Sequence, residues 1–324
     1  MEILIKFLIL LGGGYIGWAM GANDAANCVG ADIGSGRMTL RQGIIITCLF
    51  SFLGAILLGS KVIKTIGKGI VPLDKLEPNI ALLIALCACF GAGTWILMAT
   101  LKGLPVSTTH SSVGAVAGAG LAMSAPIIWK KLLDIFICWI FTPLGACLIA
   151  FILYRPFRRI FYLILPKRFI NPVITLLIFL TSIYLAFTWG ANDVANATGV
   201  ITGTGLLDSR QSAIYGGIAI IVGIITLGHK VIKTIGFSIT RLAPLMTIVA
   251  ELASGLNVHI YTLLGIPVST SHSIVGAVVG VGLAKGIRMI NRKMVLEIIF
   301  AWLLTPFISG LISFFLLKLV KILL

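Results

Sequence analysis

Long apolar runs, separated by short polar segments, make up most of the chain. The longest lie at residues 43–58, 80–101, 132–154, 172–189, 212–227 and 294–317. Most of them approach or exceed the ~20 residues with which an α-helix crosses the hydrocarbon core of a bilayer. We therefore predict an all-α integral membrane protein with about 10–12 membrane helices, including broken helices and half-helices.

Two polar motifs interrupt these apolar runs, and each of them occurs twice. The Asn-Asp motif is Gly-Ala-Asn-Asp-Ala-Ala-Asn at 21–27 and Gly-Ala-Asn-Asp-Val-Ala-Asn at 190–196. The hydroxyl motif is Pro-Val-Ser-Thr-Thr-His-Ser at 105–111 and Pro-Val-Ser-Thr-Ser-His-Ser at 267–273. Duplication of both motifs in the same order indicates that the chain is built from two copies of one design.

A third duplicated segment extends the match between the two halves. Lys-Val-Ile-Lys-Thr-Ile-Gly occurs at 61–67 and again at 230–236, and it is too short and too basic to span a bilayer. We predict that it forms a helix at the membrane surface. The predicted domains are a first transmembrane repeat at 1–154, a short basic linker at 155–171 and a second transmembrane repeat at 172–324.

Composition and charge agree with a multi-pass protein of the cell inner (plasma) membrane. The chain is 59% hydrophobic and 11% charged, with a mean hydropathy of +1.11. Its net charge of +15 comes from basic residues that flank the apolar runs, which is the pattern of membrane proteins and excludes nucleic acid as a partner. The first apolar run continues into the Asn-Asp motif without a cleavage site, so we expect it to be mature protein.

The Asn-Asp motifs place acids and amides inside apolar runs. An Asp at the centre of a membrane helix costs roughly 2.5–3.5 kcal/mol, so its presence suggests a functional site. Helical spacing brings the side chains of one motif together, and their oxygens suit hard cations such as Na⁺, while Asp also carries protons. The candidate cation-binding residues are Ala22, Asn23, Asp24 and Asn27, and their repeats Ala191, Asn192, Asp193 and Asn196.

The hydroxyl motifs have the features of half-helices that begin inside the membrane. Pro suits a helix start, and Ser and Thr are good capping residues. A helix N-terminus offers free N–H groups and a positive dipole end, which together bind anions. One such motif is usually only a cap, and one membrane Asn often joins helices, but duplication of both motifs favours a binding function. The candidate anion-binding residues are Ser107, Thr108, Thr109, Ser269, Thr270 and Ser271.

Together the motifs predict a secondary transporter that moves an oxyanion with cations, with no cofactor. His110 and His272 follow the hydroxyls. We expect them to stabilise the packing or to support the ligand-binding residues without contacting the ligand. A serine hydrolase that uses Ser107 and His110 lacks a Gly-x-Ser-x-Gly elbow, so we expect no enzyme. Glu251, for which the first half has no acidic equivalent, is a candidate coupling residue.

These motifs resemble those of the inorganic phosphate transporter (PiT) family, which moves phosphate with Na⁺ or H⁺. The resemblance rests on both Asn-Asp motifs and both hydroxyl motifs, and extends over nearly the whole chain. It implies an inverted-repeat fold, with inorganic phosphate between the two hydroxyl motifs and cations at the Asn-Asp motifs. Glu251 matches a family glutamate, whereas Ser51 stands where many relatives carry another glutamate.

Several alternatives remain open at this stage. The same donors would accept sulfate or arsenate, and a passive anion channel would need no cation gradient. The choice between Na⁺ and H⁺, the stoichiometry and the membrane orientation are not determined by the sequence. Abundant small residues would allow tight contacts between helices, including those of a homodimer.

Overall fold

The computed structural model describes residues 2–104, 106–232, 242–286 and 292–323, and all regular structure in these ranges is helical. The first repeat contains α1 (Glu2–Gly34), α2 (Leu40–Leu58), α3 (Ser60–Gly69), a 3₁₀ turn (Leu73–Lys75), α4 (Pro78–Leu101), α5 (Thr108–Ala122) and α6 (Trp129–Ile164). The second contains α7 (Lys167–Gly203), α8 (Ser209–Gly223) with a π-helical extension (Ile224–Gly228), α9 (Pro244–Leu263), α10 (Thr270–Lys285) and α11 (Arg292–Leu323).

The helix lengths confirm the prediction of a membrane protein with half-helices. Among the described residues, 7 helices are long and apolar enough to cross a membrane. Helices α5 and α10, with 15 and 16 residues, fall short of the ~20 residues that a span requires. Pro105, which was predicted to lie at the start of α5, is outside the described residues. Ser107 caps α5 and Ser269 caps α10, as expected.

The first Lys-Val-Ile-Lys segment is helical, as predicted, and its helix α3 is amphipathic. Its lysines, including Lys61 and Lys64, are exposed, whereas Val62, Ile63 and Ile66 are buried. The second copy of this segment extends past residue 232 and lies partly outside the described residues. The predicted linker at 155–171 is mostly helical: α6 continues to Ile164, α7 begins at Lys167, and only two residues separate them.

The second helix of each repeat begins with the same capping box, although the capping residues differ. Thr39 accepts a hydrogen bond from the backbone of Gln42, whose side chain accepts one from the backbone of Thr39 at 2.9 Å. Asp208 and Gln211 form the same reciprocal pair, with distances of 2.8 and 3.0 Å. Each cap stabilises its helix by about 1 kcal/mol. The duplicated design therefore includes the caps as well as the polar motifs.

Helices α1 and α7, which are equivalent in the two repeats, lie antiparallel. Gly13, in the first half of α1, packs against Ile201 near the end of α7. Asp32, near the end of α1, accepts a hydrogen bond of 2.6 Å from Ser182 in the first half of α7. Because equivalent helices run in opposite directions, the repeats have inverted topology, as predicted.

The repeats are interlocked through their half-helices. Helix α5 packs on α11 of the second repeat, and α10 packs on α6 of the first. Both contacts depend on glycine, since a Cβ atom on Gly114 would collide with the backbone of Pro306, and one on Gly276 with the backbone of Pro143. Small residues allow such close helix contacts in membranes. Each half-helix is therefore positioned by the other repeat's last helix.

Candidate functional site

The Asn-Asp motifs lie in the C-terminal halves of α1 and α7, where nearly all of their side chains are buried. Asp24 and Asp193 are each 1% exposed, and Asn23 and Asn192 are no more exposed than that. The helical spacing predicted for the first motif is confirmed, because Asn27 Nδ2 lies 3.1 Å from Asp24 Oδ1. The backbones of Ala22 and Ala191 lie in the same helices, and both residues are buried.

The first asparagine of each motif holds the segment that leads into a half-helix. Asn23 donates to Thr100 Oγ1 at 2.9 Å and to the Leu104 carbonyl at 3.2 Å, and it accepts from the Val106 N–H at 3.3 Å. These three bonds use both ends of the Asn23 amide.

Asn192 repeats the arrangement in the second half. Its amide donates to Thr262 Oγ1 at 2.9 Å and to the Ile266 carbonyl at 3.2 Å, and accepts from the Val268 N–H at 3.0 Å. The two asparagines therefore have a positioning role in this structure, and their assignment to a cation remains a prediction.

The aspartates contact the first helical residue of each half-helix. Thr108 donates its hydroxyl to Asp24 Oδ2 at 2.7 Å, and Thr270 donates its hydroxyl to Asp193 Oδ2 at 2.9 Å. The structure thus brings together the acid and the hydroxyl motif within each repeat.

The last asparagine of each motif contacts the hydroxyl motif of the other repeat. Asn27 Nδ2 donates to Ser271 Oγ at 2.7 Å, and Asn196 Nδ2 donates to Thr109 Oγ1 at 3.0 Å. All four motifs therefore meet in one buried site between the two repeats.

The serines before each half-helix act as caps, and they direct the helix N-termini into this site. Ser107 Oγ accepts from the backbone N–H of His110 at 3.2 Å, and Ser269 Oγ accepts from that of His272 at 3.3 Å. The N–H groups of the first helical residues have no partner within the helix. The two half-helix N-termini therefore provide free N–H groups and positive dipole ends, to which an anion can bind.

The second repeat leaves two buried acceptor oxygens without a donor among the described residues. They are Oδ1 of Asp193 and Oδ1 of Asn196, both in side chains at most 2% exposed. An unpaired buried acceptor is costly, typically by about 1–3 kcal/mol, and a bound cation would satisfy it. None of the lysine and arginine side chains that the structure describes is buried.

The two histidines stack in an aromatic group beside the site. The His110 ring lies over Trp139 with centroids 3.6 Å apart, and His272 lies over Trp302 at the same distance. His110 Nδ1 is 3.1 Å from the Trp302 carbonyl, as expected for a histidine that contacts the backbone. Ser107 contacts the backbone of His110, so the arrangement lacks the Ser–His pair of a hydrolase.

Three residues of the site were missed from the sequence. Thr100 and Thr262 belong to a Thr-Leu-x-Gly-x-Pro pattern that occurs before each hydroxyl motif, so the duplication carried a signal. Trp189, fully buried, lies beside both the Asp24 and Asp193 carboxyls, at a geometry short of a regular hydrogen bond to either. Its only signal is its position immediately before the second Asn-Asp motif.

Glu251 and Ser51 have different surroundings from the four motifs. Glu251 accepts a hydrogen bond of 2.6 Å from Thr181 and contacts Asp32 and Ser182, none of which belongs to the site. Ser51 is buried in α2, where its backbone packs directly against Gly190 of the second Asn-Asp motif.

Comparison with known proteins gives a consistent picture. The phosphate transporter family matches residues 20–313. A Pyrococcus furiosus protein named as a phosphate permease is 32% identical over 95% of this chain and 94% of its own. The chloroplastic inorganic phosphate transporter 2-1 of Arabidopsis thaliana is 28% identical over 93% of this chain and 70% of its own.

A solved structure, that of "the sodium-dependent phosphate transporter", shares the whole fold. It is 30% identical, with a TM-score of 0.89, and the match covers 99% of this chain and 100% of that one. The inverted repeats, the buried motifs and these matches agree. The chain belongs to the phosphate transporter family.

Proposed function

We propose that this protein imports inorganic phosphate together with Na⁺ across the plasma membrane by alternating access. Phosphate would bind between the N-termini of α5 and α10, and the cations would bind at the Asn-Asp motifs. The family match supports phosphate, and the sodium-dependent structural relative favours Na⁺ over H⁺. Competition by arsenate or sulfate tests the anion.

The observation that carries the proposal is the set of unpaired acceptors beside two helix N-termini. Asp193 Oδ1 and Asn196 Oδ1 accept from no described donor, while the half-helix N-termini favour an anion nearby. With two carboxyl groups and a phosphate in one buried site, negative charge would accumulate, and none of the described lysine and arginine side chains is buried there to balance it. Cations supplied by the gradient would provide that balance.

The hydrogen bonds suggest why the cation would bind before phosphate. Thr108 and Thr270 now donate their hydroxyls to Asp24 and Asp193, so those donors are occupied. A cation on the carboxylates would compete for the same oxygens and release the hydroxyls to phosphate. Phosphate affinity would then depend on the cation, which is the thermodynamic basis of coupling.

The interlocked repeats suggest how access would alternate. The site lies between α1 and α5 of the first repeat and α7 and α10 of the second. Rocking of the inverted repeats around such a shared site opens it first to one side and then to the other.

Labelled phosphate uptake into proteoliposomes tests the function. We expect accumulation with an inward Na⁺ gradient and none with equal Na⁺ on both sides. Accumulation driven only by an inward H⁺ gradient would replace Na⁺ with H⁺. Equal flux without any gradient would identify a channel and overturn the symport mechanism.

A further inference from the structure

A second buried acidic group lies outside the four motifs, between α1, α7 and α9. Asp32 is 0% exposed and Glu251 is 2% exposed, and their carboxyl groups lie within hydrogen-bond range of each other. Ser182 Oγ is 2.6 Å from Asp32 Oδ2, and Thr181 Oγ1 is 2.6 Å from Glu251 Oε2. The two hydroxyls belong to consecutive residues of α7, so one turn of this helix holds both acids.

The acidic pair has no acidic counterpart at the position to which the inverted repeat relates it. The register that aligns Asn192 with Asn23 aligns Ile201 with Asp32, and Gly13 with Ser182. The register that aligns the two hydroxyl motifs places Cys89 opposite Glu251. The equivalent position is therefore apolar, with Ile201 packed on Gly13 and Cys89 packed on Gly12. A structural requirement common to both repeats does not explain the acids.

The hydrogen bonds around the pair leave one acceptor without a donor. Asp32 Oδ1 is buried and has no partner in the part of the chain that the structure describes. Both neighbouring hydroxyls have other acceptors in reach as well, since each lies near the Ile178 carbonyl. None of the lysine and arginine side chains that the structure describes is buried, and the Cys28 thiol is a further titratable group near the pair.

Two facing carboxyl groups in a buried setting cannot both carry a charge without a large electrostatic cost. Carboxyl groups within hydrogen-bond range of each other can share one proton, which joins two of their oxygens and removes one of the two charges. A shared proton also supplies the donor that the unpaired oxygen lacks.

We propose that Asp32 and Glu251 form a proton-binding site that holds α9 against α1 and α7 on one side of the transport site. With the proton bound, the two carboxyls are joined by a hydrogen bond. When it leaves, the two negative charges repel each other, and the contact between α1 and α9 is weakened on that side alone. Protonation of this pair then controls how easily one of the two access routes opens, even when transport is coupled to Na⁺.

The first test is infrared spectroscopy of the purified, full-length protein, which does not depend on transport. Asp32→Asn removes one acid, and its amide can still donate to Glu251. We expect the wild-type protein at neutral pH to show a C=O band of a protonated carboxylic acid that Asp32→Asn lacks. Asp134→Asn, which removes an exposed acid of α6, is the matched control and should retain the band.

The second test is Na⁺-driven phosphate uptake across a pH series, and this part rests on the proposed function. Phosphate itself titrates, but its speciation at a given pH is the same for every variant. We expect the ratio of wild-type to Asp32→Asn uptake to change about threefold or more between about pH 6 and about pH 9, because only the wild type can lose the shared proton. The ratio of wild type to Asp134→Asn should stay constant.

The outcomes separate the two proposals. If the wild type shows no Na⁺-driven phosphate uptake, the proposed function is contradicted, but the result of the infrared test still stands. An unchanged band in Asp32→Asn, or a constant uptake ratio, would overturn the proton site. If Asp32→Asn does not fold, Glu251→Gln gives the same infrared comparison. A band that disappears from the wild type on adding Na⁺ at constant pH would identify a metal cation site and also overturn the proposal.

Discussion

Asn27 Nδ2 lies 2.7 Å from Ser271 Oγ, so α1 of the first repeat is joined directly to the half-helix of the second. Ser271 in turn lies 3.5 Å from Asp24 Oδ1. The equivalent bond in the opposite direction joins Asn196 to Thr109 at 3.0 Å. Hydrogen bonds between the two repeats thus cross the candidate site, and any movement of one repeat relative to the other must change them.

Replacing the cross-repeat asparagines should therefore impair transport more than folding. We expect Asn27→Ala and Asn196→Ala each to raise the KM for phosphate or to reduce uptake about tenfold, because each leaves a hydroxyl without its partner and opens a space in the site. Uptake kinetics in proteoliposomes measures the effect.

Asn257→Ala is the matched control for these variants. Asn257 is also a buried amide, and it donates to the Thr142 carbonyl at 3.0 Å and to Ser273, the last residue of the second hydroxyl motif, at 3.1 Å. Neither partner is a candidate anion- or cation-binding residue. It should lower the thermal unfolding midpoint as much as the other two while leaving KM unchanged. Equal KM values in all three variants would contradict the role of the cross-repeat bonds.

The aspartates are expected to carry the cations. Asp24→Asn and Asp193→Asn keep the size of each side chain and its contact with Thr108 or Thr270, but they remove the negative charge. We expect folded protein in which Na⁺-driven uptake falls about 10²-fold or more, since a buried site without its charge does not compensate a desolvated cation.

Na⁺ dependence of uptake, with Asp134→Asn as the exposed-acid control, measures this effect. Asp193 should be the more sensitive of the two, because its Oδ1 has no other partner among the described residues. Undiminished Na⁺-driven transport in both variants would refute the assignment of cations to the Asn-Asp motifs.

The first hydroxyl of each half-helix should contribute to phosphate affinity. Thr108→Val and Thr270→Val preserve shape and remove one donor each. A hydrogen bond to a charged group contributes roughly 1.5–3 kcal/mol, so we expect phosphate to bind about tenfold or more weakly in each variant. Binding of labelled phosphate to purified protein at saturating Na⁺ is the measurement.

Thr247→Val provides the control for the threonine variants. Thr247 is buried in α9, and its hydroxyl has no partner among the residues described. The same loss of a hydroxyl there should leave phosphate affinity unchanged. If Thr108→Val and Thr270→Val bind phosphate as Thr247→Val does, the hydroxyl motifs do not form the anion site.

The duplicated motifs made much of this site predictable from the sequence. Asp24 and Asn27 were expected to be neighbours because helical spacing fixes contacts within one helix, and the structure confirms it. The half-helix starts at Ser107 and Ser269 were likewise predicted from local capping preferences. Local rules were sufficient wherever the contact lay within one element.

Contacts between distant elements were not predictable in this way. Periodicity indicates which face of a helix is buried, but it does not indicate which other helix covers that face. The bond from Asn27 to Ser271 depends on how the repeats interlock. Asp32 was overlooked because it is a single acid without a counterpart in the second repeat, and it lies in a glycine-rich stretch at the end of α1.

Trp189 is the site residue with the clearest untested consequence. Its indole lies beside both Asp24 and Asp193, and the first repeat has Met20 at the equivalent position, so one tryptophan serves both acids. Trp189→Phe keeps an aromatic ring in the core and removes the N–H that faces the two carboxyls. We expect the Na⁺ concentration for half-maximal uptake to change about threefold or more, because the charge balance at both acids changes at once. Trp95→Phe, which loses one indole bond to Thr305 outside the site, should leave this concentration unaltered. An identical Na⁺ dependence in both variants would show that Trp189 acts only through packing.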